Sequence, residues 1–184
     1  MPLQNKKIVI LVEDQYQDQE VWYPYFRFKE EGAQVIVAGT GKKSVYKSKH
    51  GYEIVADSDA SKIKASDVDG IIIPGGYAPD LLRRYDFVNK LVGEIFKQGK
   101  LVASICHGAW VLCSAGILKG KTATCFFAIK DDVVHAGAKY VDQEVAVDGN
   151  LVTSRCPEDL PAFLRESLKI LSAQKASMPL AVRR

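Results

Sequence analysis

The sequence predicts a three-layer α/β domain built on a mainly parallel sheet, and three observations point there. Residues 8–12, 71–73 and 101–105 are short apolar runs with little alternation, as expected of strands covered on both faces. The segments between them place apolar residues at helical spacing, and a strand-helix-strand rhythm favours parallel pairing. Chemically capable residues, Glu20, Gly75–Gly76 and Cys106–His107, fall just after these three runs. In an open parallel sheet that edge binds ligands.

In chain order, residues 7–13 form the first buried strand, with acidic and polar residues after it. Residues 20–31 read as a helix with a stripe of Val21, Trp22, Tyr25 and Phe28, stopped by Gly32. A second strand spans 34–38. The turn at 39–43 lacks the spacing of a phosphate loop. Residues 45–57, polar and aromatic around Gly51, read as a hairpin excursion. Asp69 and Gly70 lead into the strand 71–73, which ends in Pro74, Gly75 and Gly76. Paired glycines let backbone N–H groups approach a ligand closely. Pro79 and Asp80 suit a helix start.

Residues 87–98 give a helix with Val88, Leu91, Val92, Ile95 and Phe96 apolar, closed by Gly99. The strand 101–105 breaks at Cys106 into a short apolar helix closed by Gly116. A further strand is expected at 122–125 and a helix at 129–136, stopped by Gly137. Residues 144–147 and 151–154 flank Asp148-Gly149-Asn150 as a tight hairpin, an antiparallel addition at one sheet edge. Pro157 opens the last helix, with Leu160, Phe163, Leu164, Leu168 and Leu171 inward. No internal repeat is visible. One domain spans 1–184, its core about 7–172, and the tail 174–184 reads as frayed.

A chain of 184 residues is long enough for a full core without staples. With 47% hydrophobic and 26% charged residues it has the composition of an ordinary soluble protein. A net charge of +3 makes no case for nucleic acid or an anionic membrane. The apolar run near the N-terminus is too short for a signal-peptide core or a membrane span, so the expected location is the cytoplasm. Cys106, Cys113, Cys125 and Cys156 lack metal-site spacing and are expected as reduced thiols. Neither a metal nor a cofactor is expected.

Cys106 stands where a strand turns directly into a helix, so its thiol should clear the sheet. The free N–H groups of the helix start favour thiolate over thiol. The other reading is a small buried hydrophobe, the usual role of a free cysteine. The N–H groups of Gly76 and His107 are candidate oxyanion donors. Glu20 could hold or relay a proton near the sulfur, or could simply be an acid in a helix's first turn.

Five blocks together carry a family resemblance: Glu20-Val21-Trp22-Tyr23-Pro24-Tyr25; Lys49-His50-Gly51-Tyr52; Ile73-Pro74-Gly75-Gly76-Tyr77-Ala78-Pro79-Asp80; Ala103-Ser104-Ile105-Cys106-His107-Gly108; and Ile129-Lys130-Asp131-Asp132 with Ser154-Arg155-Cys156-Pro157-Glu158-Asp159-Leu160. In this order, over residues 7–172, the chain resembles the ThiJ/PfpI superfamily, close to its PfpI-type intracellular peptidase branch and related to the parkinsonism-associated deglycase. The resemblance implies a flavodoxin-like sandwich, similar to class I glutamine amidotransferases, with a nucleophile elbow at Cys106. It implies that Glu20 hydrogen-bonds the sulfur and that Gly76 and His107, beside Gly75, serve the oxyanion. It also implies that His107 is the base and that Asp80 of a neighbouring subunit orients it. The active form would then be a homo-oligomer, a dimer or a larger assembly such as a hexamer.

Relatives often carry glutamate at the position of Asp80 and tyrosine at that of Phe126. The expected activity is attack by Cys106 on a peptide carbonyl or on a reactive aldehyde such as methylglyoxal, without glutathione. The competing reading is a stress-protective redox sensor acting through oxidation of Cys106. Glutamine amidotransfer is disfavoured, because the only later histidine is His135 and no synthetase domain is attached.

Overall fold

The computed structural model describes residues 3–174, so the tail 174–184 lies, past its first residue, outside the described residues. The first three strands and the first helix are β1 (Lys7–Leu11), α1 (Asp18–Glu30), β2 (Gln34–Gly39) and β3 (Val45–Lys47). Next come β4 (Glu53–Val55), β5 (Ser58–Asp59), β6 (Gly70–Ile73), α2 (Ala78–Leu82) and α3 (Asp86–Lys97). They are followed by β7 (Leu101–Ile105), α4 (Ala109–Ser114), β8 (Thr122–Ala123) and α5 (Lys130–His135). The chain then runs through β9 (Lys139–Tyr140), β10 (Val145–Asp148), β11 (Leu151–Ser154) and α6 (Leu160–Ala173).

Seven strands make the central sheet in the order β10-β11-β7-β6-β1-β2-β5. Every pairing in it is parallel except β10 with β11, the edge hairpin expected from Asp148-Gly149-Asn150. The flavodoxin-like sandwich is therefore present. The unbroken apolar runs have a simple cause, since the sheet carries a core on each face. Val9, Leu11, Ile71, Ile73 and Val102 enter one apolar cluster with α3, α4 and α5. Ile8, Ile10, Ile72, Ala103 and Ile105 enter the other with α1 and α6. Alternate residues go to opposite faces, and both faces exclude water.

Three elements differ from the sequence reading. The strand expected at 122–125 is only Thr122–Ala123 and pairs with β9 in a separate two-stranded sheet. Thr124 N–H instead bonds the Thr153 hydroxyl at 2.9 Å, which ends the ladder and turns the chain toward Phe126. The last helix opens one turn later than Pro157, because Pro157–Asp159 is a tighter 3-10 turn. The first helix begins at Asp18 and holds Pro24 in its interior, on the buried side.

From β1 the chain moves outward to β2 on one side, and later returns to β6 on the other. That reversal opens a crevice at the C-terminal ends of β1 and β6. An antiparallel bridge between Tyr16 and Gly76 ties the two loops together there.

Candidate active site

Cys106 sits at the end of β7 with φ +60°, one of three described non-glycine residues with positive φ. A side chain rarely adopts that region, and it costs about 1–2 kcal/mol. The cause is the abrupt change from β7 into the 3-10 turn Cys106–Gly108, whose last residue leads directly into α4. Gly108 permits this because a Cβ there would run into the Ile73 carbonyl. The strain places the sulfur at the mouth of a cleft of about 600 Å³ lined by Gln15, Gly76, Tyr77, Cys106, His107 and Phe126, among others.

Glu20 enters from the first turn of α1 and is fully buried. Its Oε2 accepts a 2.6 Å hydrogen bond from the Gly75 N–H. Its Oε1 has no strict hydrogen-bond partner, and the Cys106 thiol is the side chain this carboxyl meets. Gly75 is the hub. A Cβ built there would lie 2.7 Å from Cys106 Cβ, 2.8 Å from Glu20 Oε2 and 2.9 Å from the His107 nitrogen. The Gly75 N–H, expected beside the oxyanion donors, donates to Glu20. The N–H groups of Gly76 and His107 both lie close enough to the Cys106 sulfur to act on it.

The His107 ring lies with Nδ1 3.2 Å from Cys106 Sγ. Burial, with the nearby Lys49 charge, holds its pKa below the ordinary 6.5. The imidazole is therefore neutral near pH 7 and able to accept a proton. Burial pushes Glu20 up to about 7, against the pull of the Gly75 N–H and of Lys49. Burial and the Glu20 charge push the Cys106 thiol well above the ordinary thiol range, although the Gly76 and His107 N–H groups oppose them. The N–H groups do favour the thiolate as expected, but burial and the carboxyl outweigh them. The helix has only six residues, and a buried carboxyl faces the same sulfur. Cys106 and Glu20 therefore form a coupled pair, each resisting the other's ionisation.

Asp80 lies at the start of α2 and is ion-paired with Arg84 one turn on. It makes no hydrogen bond to His107 within the chain. Phe126 lies against the His107 ring at 4.8 Å, and its N–H bonds the Cys106 carbonyl. Lys49, Gln17 and Glu158, to which the sequence assigned no role, also line the cleft. Its place within a family block was the only sequence signal for Lys49; its charge beside Glu20 and His107 comes from the fold. The four cysteines are all unpaired thiols. Among the described residues no group of three or more His, Cys, Asp or Glu is placed to hold a metal ion. No helix among them is long and apolar enough to cross a membrane.

The DJ-1/PfpI family model matches residues 6–170. The chain belongs to the DJ-1/PfpI family. A deglycase of Pyrococcus abyssi is 44% identical over 165 residues, covering 90% of this chain and 99% of the relative. Protein/nucleic acid deglycase 2 of Escherichia coli is 37% identical over 171 residues, covering 92% and 99%. Among solved structures, a two-domain protein of Anabaena variabilis with DJ-1/ThiJ/PfpI-like and ferritin-like domains superposes with a TM-score of 0.89 at 41% identity. That match covers 97% of this chain and 52% of the two-domain protein. This DJ-1/PfpI chain is a cysteine-dependent enzyme of the family's type.

Proposed function

We propose that this DJ-1/PfpI protein acts on small reactive carbonyl compounds, α-oxoaldehydes of the methylglyoxal kind and their adducts with amino or thiol groups, without glutathione. One observation carries the reading. A thiol and a neutral imidazole with Nδ1 3.2 Å from the sulfur line one cleft, and a fully buried carboxyl with pKa about 7 lies against the same thiol. The deglycase names of the relatives add the adducts as a substrate class.

Cys106 sulfur attacks the aldehyde carbon while its proton passes to His107 Nδ1. The oxyanion lies against the Gly76 and His107 N–H groups and takes that proton, giving a hemithioacetal. Glu20 as carboxylate removes the proton from the former aldehyde carbon while the hemithioacetal O–H proton passes to the neighbouring carbonyl oxygen, through an enediolate. Glu20 then returns its proton to the neighbouring carbon. The product is a lactyl thioester on Cys106. Water cleaves it to lactate and the free thiol, so the overall change is methylglyoxal plus water to lactate. With an adduct, the amine or thiol leaves before this sequence begins.

Asp80 of a neighbouring subunit is the group we assign to the outer side of His107, so the full site forms in a homo-oligomer. Four unpaired thiols suit a reducing compartment, and we place the enzyme in the cytoplasm. The test is lactate formation from methylglyoxal by wild type and Cys106→Ala, beside a peptide-cleavage assay. Loss of about a thousandfold or more in the variant is expected. Equal rates, or peptide cleavage without lactate, would overturn the reading. So would rapid peroxide oxidation of Cys106 with no turnover, which favours the redox sensor.

A further inference from the structure

The Asp131–Asp132 motif has no part in the chemistry above, yet one of its carboxyls is connected to it. Asp132 Oδ2 accepts the Trp110 indole N–H at 2.8 Å. Trp110 meets the His107 ring edge-on, with centroids 5.1 Å apart, and Phe126 covers the ring from another side at 4.8 Å. Arg83 lies over the Trp110 ring at 5.9 Å while its Nε is tied to the Ser114 hydroxyl. Two aromatic surfaces therefore set the tilt of an imidazole whose Nδ1 is 3.2 Å from the reacting sulfur.

From this chain of contacts we infer that Trp110, anchored by Asp132, is a positioning residue for His107, and that the ring's orientation is fixed within a single chain. The inference rests on the proposed role of His107 as base. An acid from a second subunit then acts on a ring already in place. Indole and phenyl walls supply no charge, so they hold the ring and act on its basicity only by excluding water from it. Of the titratable groups, Cys106 meets the imidazole directly and Lys49 acts on it by charge, while Tyr77, Cys156 and Glu158 line the same cleft; Arg83 and Asp132 reach it only through Trp110. Asp132 itself is exposed and can be replaced without opening the core.

The test follows the His107 ring directly by NMR titration of the free protein, in wild type, Asp132→Ala, Asp132→Asn and Trp110→Phe. Lactate formation from methylglyoxal is measured beside it. Asp132→Ala and Trp110→Phe are expected to move the His107 midpoint upward toward the ordinary imidazole value as water reaches the ring. They should lower kcat by about tenfold, with KM little changed, as misplacement of a base does. Asp132→Asn keeps an acceptor for the indole and should restore both readouts. A folded Asp132→Ala with wild-type titration and kcat overturns the inference, as does an Asn variant that behaves like Ala. If no form makes lactate, the proposed reaction fails, while the titrations still judge the positioning of the ring.

Discussion

Glu20 shows how far a residue's chemistry depends on what folding places beside it. In the sequence it is one carboxylate near a helix start. In the fold it is fully buried, bonded to the Gly75 N–H and set against the Cys106 sulfur. Its pKa rises from 4.5 to about 7 because burial outweighs its one backbone bond. A carboxyl whose folded pKa is raised stabilises the fold fully below its unfolded pKa, and that contribution is lost as pH rises through about 7. At about 1.4 kcal/mol per pKa unit, the loss is on the order of a few kcal/mol. Glu20→Gln is therefore expected to raise Tm by several degrees at about pH 8, with little change near the unfolded carboxyl value. Thermal melts at the two pH values check this, and an unchanged or lowered Tm at the higher pH contradicts it. Residue types alone revealed the thiol, the imidazole and the carboxyl. They did not reveal the sign of the Cys106 shift, because that depends on a Glu20 eighty-six positions earlier meeting the same sulfur.

At the scale of elements, the site is made by three strand ends and the turns that follow them. The apolar runs of β1, β6 and β7 were legible because each is buried on both faces, which leaves a continuous pattern. The pairing of Thr122–Ala123 with Lys139–Tyr140 was not legible, since two-residue strands carry no period and their partners are chosen by tertiary contacts. The glycines separate the same two cases. Gly75 is closed in by Cys106, Glu20 and His107, whereas the nearest atom to a Cβ on Gly93, inside α3, is 3.7 Å away. Gly75→Ala is expected to destabilise by roughly 1–3 kcal/mol through overpacking and to abolish turnover. Gly93→Ala should stabilise by up to about 1 kcal/mol with turnover intact. Urea unfolding of both variants decides, and a harmless Gly75→Ala would remove the glycine from the centre of the site.

At the scale of the molecule, alternating strands and helices announced the three layers and the edge where ligands bind. The crevice between β1 and β6 follows from the reversal of strand order. How copies of the chain assemble was not legible, because a surface that meets another copy carries no periodic signature. Asp80, held by Arg84, lies off the cleft of its own chain. If it serves a neighbour, then Cys106→Ala and Asp80→Ala, each inactive, should regain activity when dissociated and reassembled together. A mixed pair of that kind would hold one site with both groups intact. Lactate formation by the mixture checks this, and a mixture as inactive as its parts contradicts it.

The central claim is that Cys106 and Glu20 share one proton, and that the form holding it reacts. Burial raises the Glu20 carboxyl to about 7, and the Cys106 thiol lies well above its ordinary range. The most direct measurement is kcat/KM for lactate formation from methylglyoxal, from about pH 5 to about pH 9, in wild type and Glu20→Gln. The wild-type rate should climb about tenfold per pH unit just below about 7, more steeply where His107 is also protonated, and level above it. The Gln variant should be slow, with no inflection there. A wild-type rate that rises only in the ordinary thiol range, or the same inflection in both proteins, would contradict the account.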